Sequence, residues 1–176
     1  MGSKTNQHAT RTFTLIPFKP RSCKKNTARP TRRLFLIDIE NYCGKNTLTS
    51  EDVRNAKLSI TRDFNLSEED LVVIGTSHGH NCFISGTEWQ GPRQVLMHGH
   101  DGADLALIKA SHEYRIDTFA AVILISGDGI FAETAREARA FGRPVIVAAR
   151  KTSMSRKLAF VASAIRYVVP DETIAV

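Results

Sequence analysis

The stretch Leu34-Phe-Leu-Ile-Asp-Ile-Glu-Asn-Tyr42 decides how this chain folds. Its four apolar residues are followed at once by a carboxylate, Asp38, which predicts a short buried strand that ends in a charged group. An unpaired carboxylate in an apolar setting is costly, because it loses its hydration without gaining a partner. We therefore expect Asp38 to meet a metal ion or another polar group at the edge of a sheet.

From Leu34 onward, short apolar runs alternate with amphipathic segments, which is typical of β-α-β units and a parallel sheet. The later strands are predicted at 71–75, 94–97, 120–126, 144–148 and 167–169, with 120–126 at the sheet centre because it is the most apolar. Helices are predicted at 50–64 with Ser50 as the cap, at 103–114 with Leu105 and Ile108 on a partly buried face, and at 131–141 and 153–165. Segments 41–49 and 76–92 are predicted as loops, the latter with one helical turn near Phe83.

The basic residues are concentrated at the start of the chain. Residues 1–33 hold nine Lys or Arg and no Asp or Glu, whereas acidic residues outnumber basic ones from Leu34 to the end. We expect a flexible basic arm over 1–33, one domain over 34–170 and a short tail over 171–176. A basic arm favours a nucleic-acid partner, because neutralised phosphates release counterions. A solubilising leader and an organellar transit peptide are the alternatives.

Two classes of protein are disfavoured by the sequence. It has no run of roughly 20 apolar residues and no secretory signal, so we expect no membrane partner and a cytoplasmic location. The cysteines, at 23, 43 and 82, are odd in number and lack C-x-x-C spacing. This argues against a disulfide framework and against a cysteine zinc site.

Three carboxylates fall where predicted strands end or the following helix begins. Asp38 follows the first strand, Asp128 follows the fourth, and Asp104 opens the helix after the third. In an open parallel sheet the functional crevice lies beyond the carboxyl ends of the strands, so these acids converge if strands one and four are neighbours. Such a cluster suits Mg²⁺ or Mn²⁺. Taken singly, each acid is equally compatible with a structural role in a cap or turn.

Three segments, in this order, resemble the motifs of NYN domains, which are PIN-like ribonucleases. Residues 37–42 (IDIENY) are similar to the D-x-x-N opening of that family, residues 101–107 (DGADLAL) to its K-G-x-D-x-x-L segment, and residues 122–131 (VILISGDGIF) to its S-G-D-x-D-F strand end. The resemblance covers about residues 34–169. It implies a PIN-like three-layer α/β/α sandwich with a central, mostly parallel sheet of five or six strands.

The same resemblance implies a metal-dependent endoribonuclease. Asp38, Asp104 and Asp128 would be its catalytic acids and would hold Mg²⁺ or Mn²⁺, and Asn41 would orient the first loop or contact the scissile phosphate. Two positions depart from the family pattern, and they leave weak, altered or lost catalysis open. Ile130 stands where a fourth acid is usual, and Asp101 replaces a basic residue and could add its carboxylate to the metal site.

Histidine and basic residues near the same edge are candidates for contact with RNA. The pairs 78/80 and 98/100 follow the second and third strands, where they could donate to phosphate, act as a general acid, hold a transition metal or simply be solvated. We expect substrate contact from a set that combines the second histidine pair with nearby polar and basic residues: His98, His100, Ser126, Arg150, Lys151 and Arg156. Tyr42 and Trp89 are expected either to stack on bases or to be buried.

Three functions therefore stay open at this point. The first is cleavage of single-stranded or structured RNA. The second is a PIN-like module with a weak or inactive site that binds RNA or supports an assembly, which Ile130 favours. The third is an α/β protein that handles a small molecule or phosphate, since this architecture serves many functions. The oligomeric state, monomer or homodimer, is also open.

Overall fold

Six parallel strands form one sheet in the computed structural model, which describes residues 30–168. In chain order the strands are β1 (Leu34–Asp38), β2 (Leu71–Thr76), β3 (Arg93–Leu96), β4 (Val122–Ile125), β5 (Val145–Ala149) and β6 (Ala164–Tyr167). Their spatial order is β3-β2-β1-β4-β5-β6, and every pair is parallel. Strands one and four are therefore neighbours, which meets the condition for the three acids to converge, and the central place predicted for the fourth strand is confirmed.

Helices cover both faces of the sheet. They are α1 (Ile39–Cys43), α2 (Ser50–Phe64), α3 (Gly79–Glu88), α4 (Gly102–Ser111), α5 (Ala132–Ala140) and α6 (Arg156–Val161), with 3-10 turns at Ile116–Thr118, Gly129–Phe131 and Lys151–Ser153. Most of the predicted arm, the last predicted strand residue and the C-terminal tail lie outside the described residues.

Alternate residues of β1 point into two separate apolar clusters. Phe35 and Ile37 belong to the cluster under α2 and α3. Leu34 and Leu36 belong to the cluster under α4, α5 and α6. Because a central parallel strand is covered on both faces, it has no polar side and its sequence is a continuous apolar run. The predicted three-layer α/β/α sandwich is confirmed, with a sheet that is parallel throughout.

Two helices lie where loops were predicted. Helix α1 starts directly after β1, where the Asp38 carboxylate accepts a hydrogen bond from the backbone N–H of Asn41, and it ends at Gly44 in the left-handed conformation. Helix α3 fills most of 76–92, although its buried face is formed by the polar residues Asn81 and Ser85. The prediction failed at α3 because no apolar periodicity marks it.

Other boundaries and faces also differ from the prediction. The cap of α2 is Thr49, not Ser50, and it forms a capping box with Asp52. Leu105 is 44% exposed, because α4 turns its small residues and Leu107 toward the sheet. The last helix is only six residues long, since the segment before it packs against Gly127. None of the helices within residues 30–168 is long and apolar enough to cross a membrane.

Helix α4 begins in a space that admits only glycine. A Cβ atom at Gly102 would lie 1.8 Å from the carbonyl oxygen of Met97 and 3.3 Å from the Cβ of Ser77. At Gly75, on the facing strand β2, a Cβ would lie 2.8 Å from the carbonyl oxygen of Ala103. These two glycines let the first turn of α4 approach the sheet edge.

We expect Gly102→Ala to destabilise the protein by about 1–3 kcal/mol, because the backbone carbonyl of Met97 must move. The matched control is Gly86→Ala, which lies within α3, where the nearest atom to a new Cβ is 3.6 Å away. That variant should be stabilised by roughly 0.5–1 kcal/mol through its higher helix propensity. Denaturant unfolding of the two variants measures both effects, and equal stabilities would contradict the packing described for α4.

Candidate functional site

A cavity of about 530 Å³ opens at the carboxyl ends of the central strands. Its walls carry the side chains of five acids, two cations and two histidines: Asp38, Glu40, Asp101, Asp104, Asp128, Lys45, Arg150, His78 and His100. The three acids predicted from the sequence are among them. Since carboxylates outnumber the cations of the wall, the cavity as a whole attracts positive charge.

Asp38 and Asp104 form a buried pair of carboxyl groups on the floor of this cavity. Only 4% of Asp38 and 7% of Asp104 are exposed. The two carboxyl groups lie close enough for each to shift the pKa of the other. One oxygen of Asp104, Oδ1, is buried without a hydrogen-bond partner. Such a pair lacks the positive charge that would satisfy both groups.

Burial raises the pKa values of both members of the pair. The pKa of Asp38 rises to about 6, with the hydrogen bond from the Asn41 N–H opposing the shift. The pKa of Asp104 rises to about 8, first because it is buried and then because the charge of Asp38 repels a second negative charge. Burial and mutual repulsion thus disfavour the charge of both groups, and a bound cation would stabilise that charge.

Asp128 stands at the rim of the cavity on the turn after β4. It is exposed, and its Oδ1 accepts a hydrogen bond of 2.9 Å from the N–H of Ile130. Its charge contributes to the raised pKa values of both buried acids. The structure thus brings together the three predicted acids, two as a pair and the third as a nearby charge.

Two of the predicted polar residues hold the loops that carry these acids. Asn41 lies in the cavity wall, and its Oδ1 accepts a hydrogen bond of 3.4 Å from the N–H of Gly127. Ser126 is 1% exposed, and its hydroxyl accepts a bond of 3.3 Å from the N–H of Asp128. Ser126 is therefore unable to contact a substrate in this arrangement, contrary to the expectation from sequence.

The remaining candidates for substrate contact divide between the cavity and the outer surface. Arg150 lies in the wall, with its guanidinium packed against Gly44. His100 also lies in the wall, where Asp101 is 2.6 Å away and raises the pKa of His100. The other predicted contacts are outside the cavity lining: His98, Lys151 and Arg156.

The two departures from the family pattern have different surroundings. Ile130 is half-buried and packs against the cluster under α4, α5 and α6. The position at which the family pattern has an acid therefore makes an apolar contact in this chain. Asp101 lies in the cavity wall, as expected for a substitute carboxylate, but its contact there is with His100. Tyr42 and Trp89 are 6% and 3% exposed, so neither is available to stack on a base.

The sequence reading missed a polar network in the cavity wall that is centred on Glu40. The N–H and hydroxyl of Ser77 donate to this carboxylate at 3.0 and 2.5 Å, and the side chain of Asn81 donates at 2.6 Å. Burial alone would raise the pKa of Glu40, but these hydrogen bonds outweigh it and lower the pKa. Glu40 lies between Asp38 and Asn41 in the sequence, and this position in the motif could have indicated that Glu40 belongs to the site.

The side chains of the site fit a cation bound mainly by two carboxylates. Across residues 30–168 there is no cluster of three or more His, Cys, Asp or Glu placed to hold a metal ion. Mg²⁺, however, is commonly held by one or two carboxylates, with waters and substrate phosphates completing its shell. The unpartnered oxygen of Asp104 and the raised pKa values of Asp38 and Asp104 fit that smaller donor set.

Comparisons with known proteins bear on the fold of this chain. No family model matches this chain, and no curated protein matches it. The crystal structure of a protein of unknown function from Vibrio parahaemolyticus is similar, with a TM-score of 0.57 and 16% sequence identity over 81% of this chain and 96% of that one. This likeness supports the three-layer architecture, while the resemblance to NYN domains stays a prediction.

We expect Asp104→Asn to stabilise the protein at alkaline pH in the presence of a chelator. A raised pKa means that the folded state keeps its proton longer than the unfolded state, so stability is lost as the pH rises from about 4 through about 8. Asparagine cannot ionise and escapes this loss. Melting curves should show a higher melting temperature for the variant at about pH 9 and a difference that shrinks toward about pH 4.

Asp117→Asn is the matched control for this measurement. Asp117 is bonded to Arg115, which lowers the pKa of this carboxyl group, so the substitution removes a favourable charge and should bring no gain at alkaline pH. Wild-type protein that melts at the same temperature as the Asp104 variant throughout this pH range would show that the buried pair carries no such penalty.

Proposed function

We propose that this protein is a metal-dependent endoribonuclease and that the acidic cavity is its active site. The observation that carries the proposal is the burial of Asp38 and Asp104 together in the cavity wall, with one oxygen of Asp104 left without a hydrogen-bond partner. The resemblance to NYN domains adds RNA as the substrate. A cytoplasmic location belongs to the same proposal.

The charge of the cavity supports a role for a cation. A phosphodiester is an anion, and a wall with five carboxylates repels it unless positive charge is bound there first. Mg²⁺ or Mn²⁺ held by Asp38 and Asp104 would polarise a phosphoryl oxygen and lower the pKa of a bound water. The charge of Asp128 at the rim would strengthen the attraction for the ion.

Arg150 is the cavity residue best suited to hold the substrate phosphate. Its guanidinium can donate two parallel hydrogen bonds to a phosphate. Its Nε is buried and has no hydrogen-bond partner. Lys45, the other cation of the wall, is engaged with Asp52 at 2.6 Å.

A second function is supported by a separate observation. Ile130 makes an apolar contact where the family pattern has an acid, and the described residues offer two paired carboxylates in place of a larger cluster. These features favour a PIN-like module that binds RNA or supports an assembly without cutting. The two functions share the cavity, so cleavage distinguishes them and binding does not.

We expect Asp38→Asn and Asp104→Asn each to lower RNA cleavage by at least about 100-fold, because each removes half of the cation's carboxylate ligands. Cleavage of labelled single-stranded and hairpin RNA in Mg²⁺ or Mn²⁺, and in EDTA, measures this effect. Titration calorimetry with Mn²⁺ provides a second reading, in which both variants should bind the ion more weakly than the wild type.

Asp117→Asn, which changes a carboxylate outside the cavity, should cut RNA and bind Mn²⁺ like the wild type. Cleavage that persists in both cavity variants, or that is unchanged in EDTA, would disprove the proposed nuclease. Wild-type protein that binds RNA with a steep salt dependence but cuts none of the substrates would favour the second function.

A further inference from the structure

A chain of hydrogen bonds in the cavity wall joins Glu40, Ser77 and His78, and the proposed cation site does not use it. The Ser77 hydroxyl lies 2.5 Å from Glu40 Oε2 and 2.8 Å from His78 Nδ1. The imidazole is also 3.6 Å from Glu40 Oε1. These contacts cross 37 residues of sequence and join the strand ends of β1 and β2.

The positions of the protons in this series of hydrogen bonds follow from the chemistry of the three side chains. Glu40 accepts hydrogen bonds from the N–H and hydroxyl of Ser77 and from the side chain of Asn81, so its carboxylate is the acceptor in this network. The single hydroxyl hydrogen of Ser77 is therefore donated to Glu40. The serine oxygen then has only lone pairs to offer to His78, so Nδ1 must be the protonated ring nitrogen.

This arrangement leaves Nε2 of His78 as the ring nitrogen that exchanges protons. His78 lies in the cavity wall, its side chain is 60% exposed, and Glu40 behind it is 13% exposed. The ring is thus held at one nitrogen by a buried network and is accessible at its outer edge.

The other histidines near the site lack this support. His80 and His98 are exposed and lie outside the cavity lining. The side chain of His100 is 98% exposed. Among the described interactions, its contact is with the side chain of the neighbouring residue Asp101, 2.6 Å away. Among the histidines within residues 30–168, His78 is the one whose ring is bonded to a buried network.

We propose that His78 is the general acid of the nuclease, which donates its Nε2 proton to the leaving oxygen while Ser77 and Glu40 fix its tautomer. This inference rests on the proposed function of the cavity. As water attacks phosphorus, a new P–O bond forms and the bond to the leaving oxygen breaks. The leaving oxygen takes the proton from His78, the attacking water loses one to solvent, and His78 is protonated again from solvent.

The tautomer can be tested without any activity. In ¹⁵N-labelled protein, long-range ¹⁵N–¹H correlation spectra distinguish the two neutral forms of each histidine. We expect neutral His78 in the Nδ1–H form and a shift toward the ordinary Nε2–H form in Ser77→Ala. A neutral His78 in the Nε2–H form in the wild type would overturn the proposal, whether or not the protein cuts RNA.

The choice of leaving group tests the proton transfer itself. His78→Gln should lower cleavage of RNA by roughly 100-fold or more, because an alkoxide leaving group needs a proton. It should affect a p-nitrophenyl phosphodiester of a nucleotide far less, since nitrophenolate leaves without one. Asp38→Asn should lose activity on both substrates. His80→Gln, which changes the next histidine but lies outside the cavity, is the matched control and should behave like the wild type.

The outcomes separate this inference from the proposal on which it rests. If His78→Gln cuts RNA as fast as the wild type, or loses equal activity on both substrates, the proposed role of His78 is wrong. Either result is compatible with the proposed nuclease activity. A wild type that cuts neither substrate in Mg²⁺ or Mn²⁺ would overturn both. A selective loss on RNA that added imidazole restores in His78→Ala would support proton donation over a purely structural role.

Discussion

The burial of two carboxyl groups against each other is the constraint on which the rest of the site depends. Asp38 ends the central strand β1, and Asp104 lies in the first turn of α4. Each would be more stable in water, and their mutual repulsion adds to the cost of burial. They stay together because α4 is held against the sheet edge at Gly75 and Gly102, where a larger residue would meet backbone atoms. The fold therefore maintains an arrangement that its own charges oppose, which is the pattern expected of a functional site.

The topology of the sheet explains why this pair lies where it does. Helices α2 and α3 pack on one face of the sheet, and α4, α5 and α6 pack on the other. The connections change face beside β1 and β4, so the strand ends diverge there and a crevice opens. Asp38 and the turn with Asp128 border that crevice from the two central strands. The bond from Gly127 to Asn41 then fixes the distance between the loops.

The sequence predicted those parts of the structure that depend on local pattern. Buried strands are continuous apolar runs, and acids that follow them must lie at one edge of a parallel sheet, so the strands and the three acids could be assigned. Helix α3 could not, because its buried face consists of Asn81 and Ser85, which pack through polar contacts without an apolar period. Leu105 was assigned to a partly buried face by its spacing along the helix, whereas the close approach of α4 to the sheet brings mainly smaller residues into that contact. The partnership of Glu40 with Ser77 depends on the pairing of β1 with β2, which no local pattern specifies.

Two acids in one short motif illustrate how the surroundings assign chemical roles. Asp38 and Glu40 are two residues apart, yet burial raises the pKa of Asp38 to about 6, while hydrogen bonds from Ser77 and Asn81 outweigh burial and lower that of Glu40. Groups whose pKa values are pushed apart in this way are suited to different tasks. Asp38, with few donors, gains most from a cation, whereas Glu40 is already satisfied and serves as a fixed negative charge. A cation near Asp38 would therefore leave the hydrogen bonds of Glu40 intact, and the same turn of chain can support a metal ion on one side and an oriented histidine on the other.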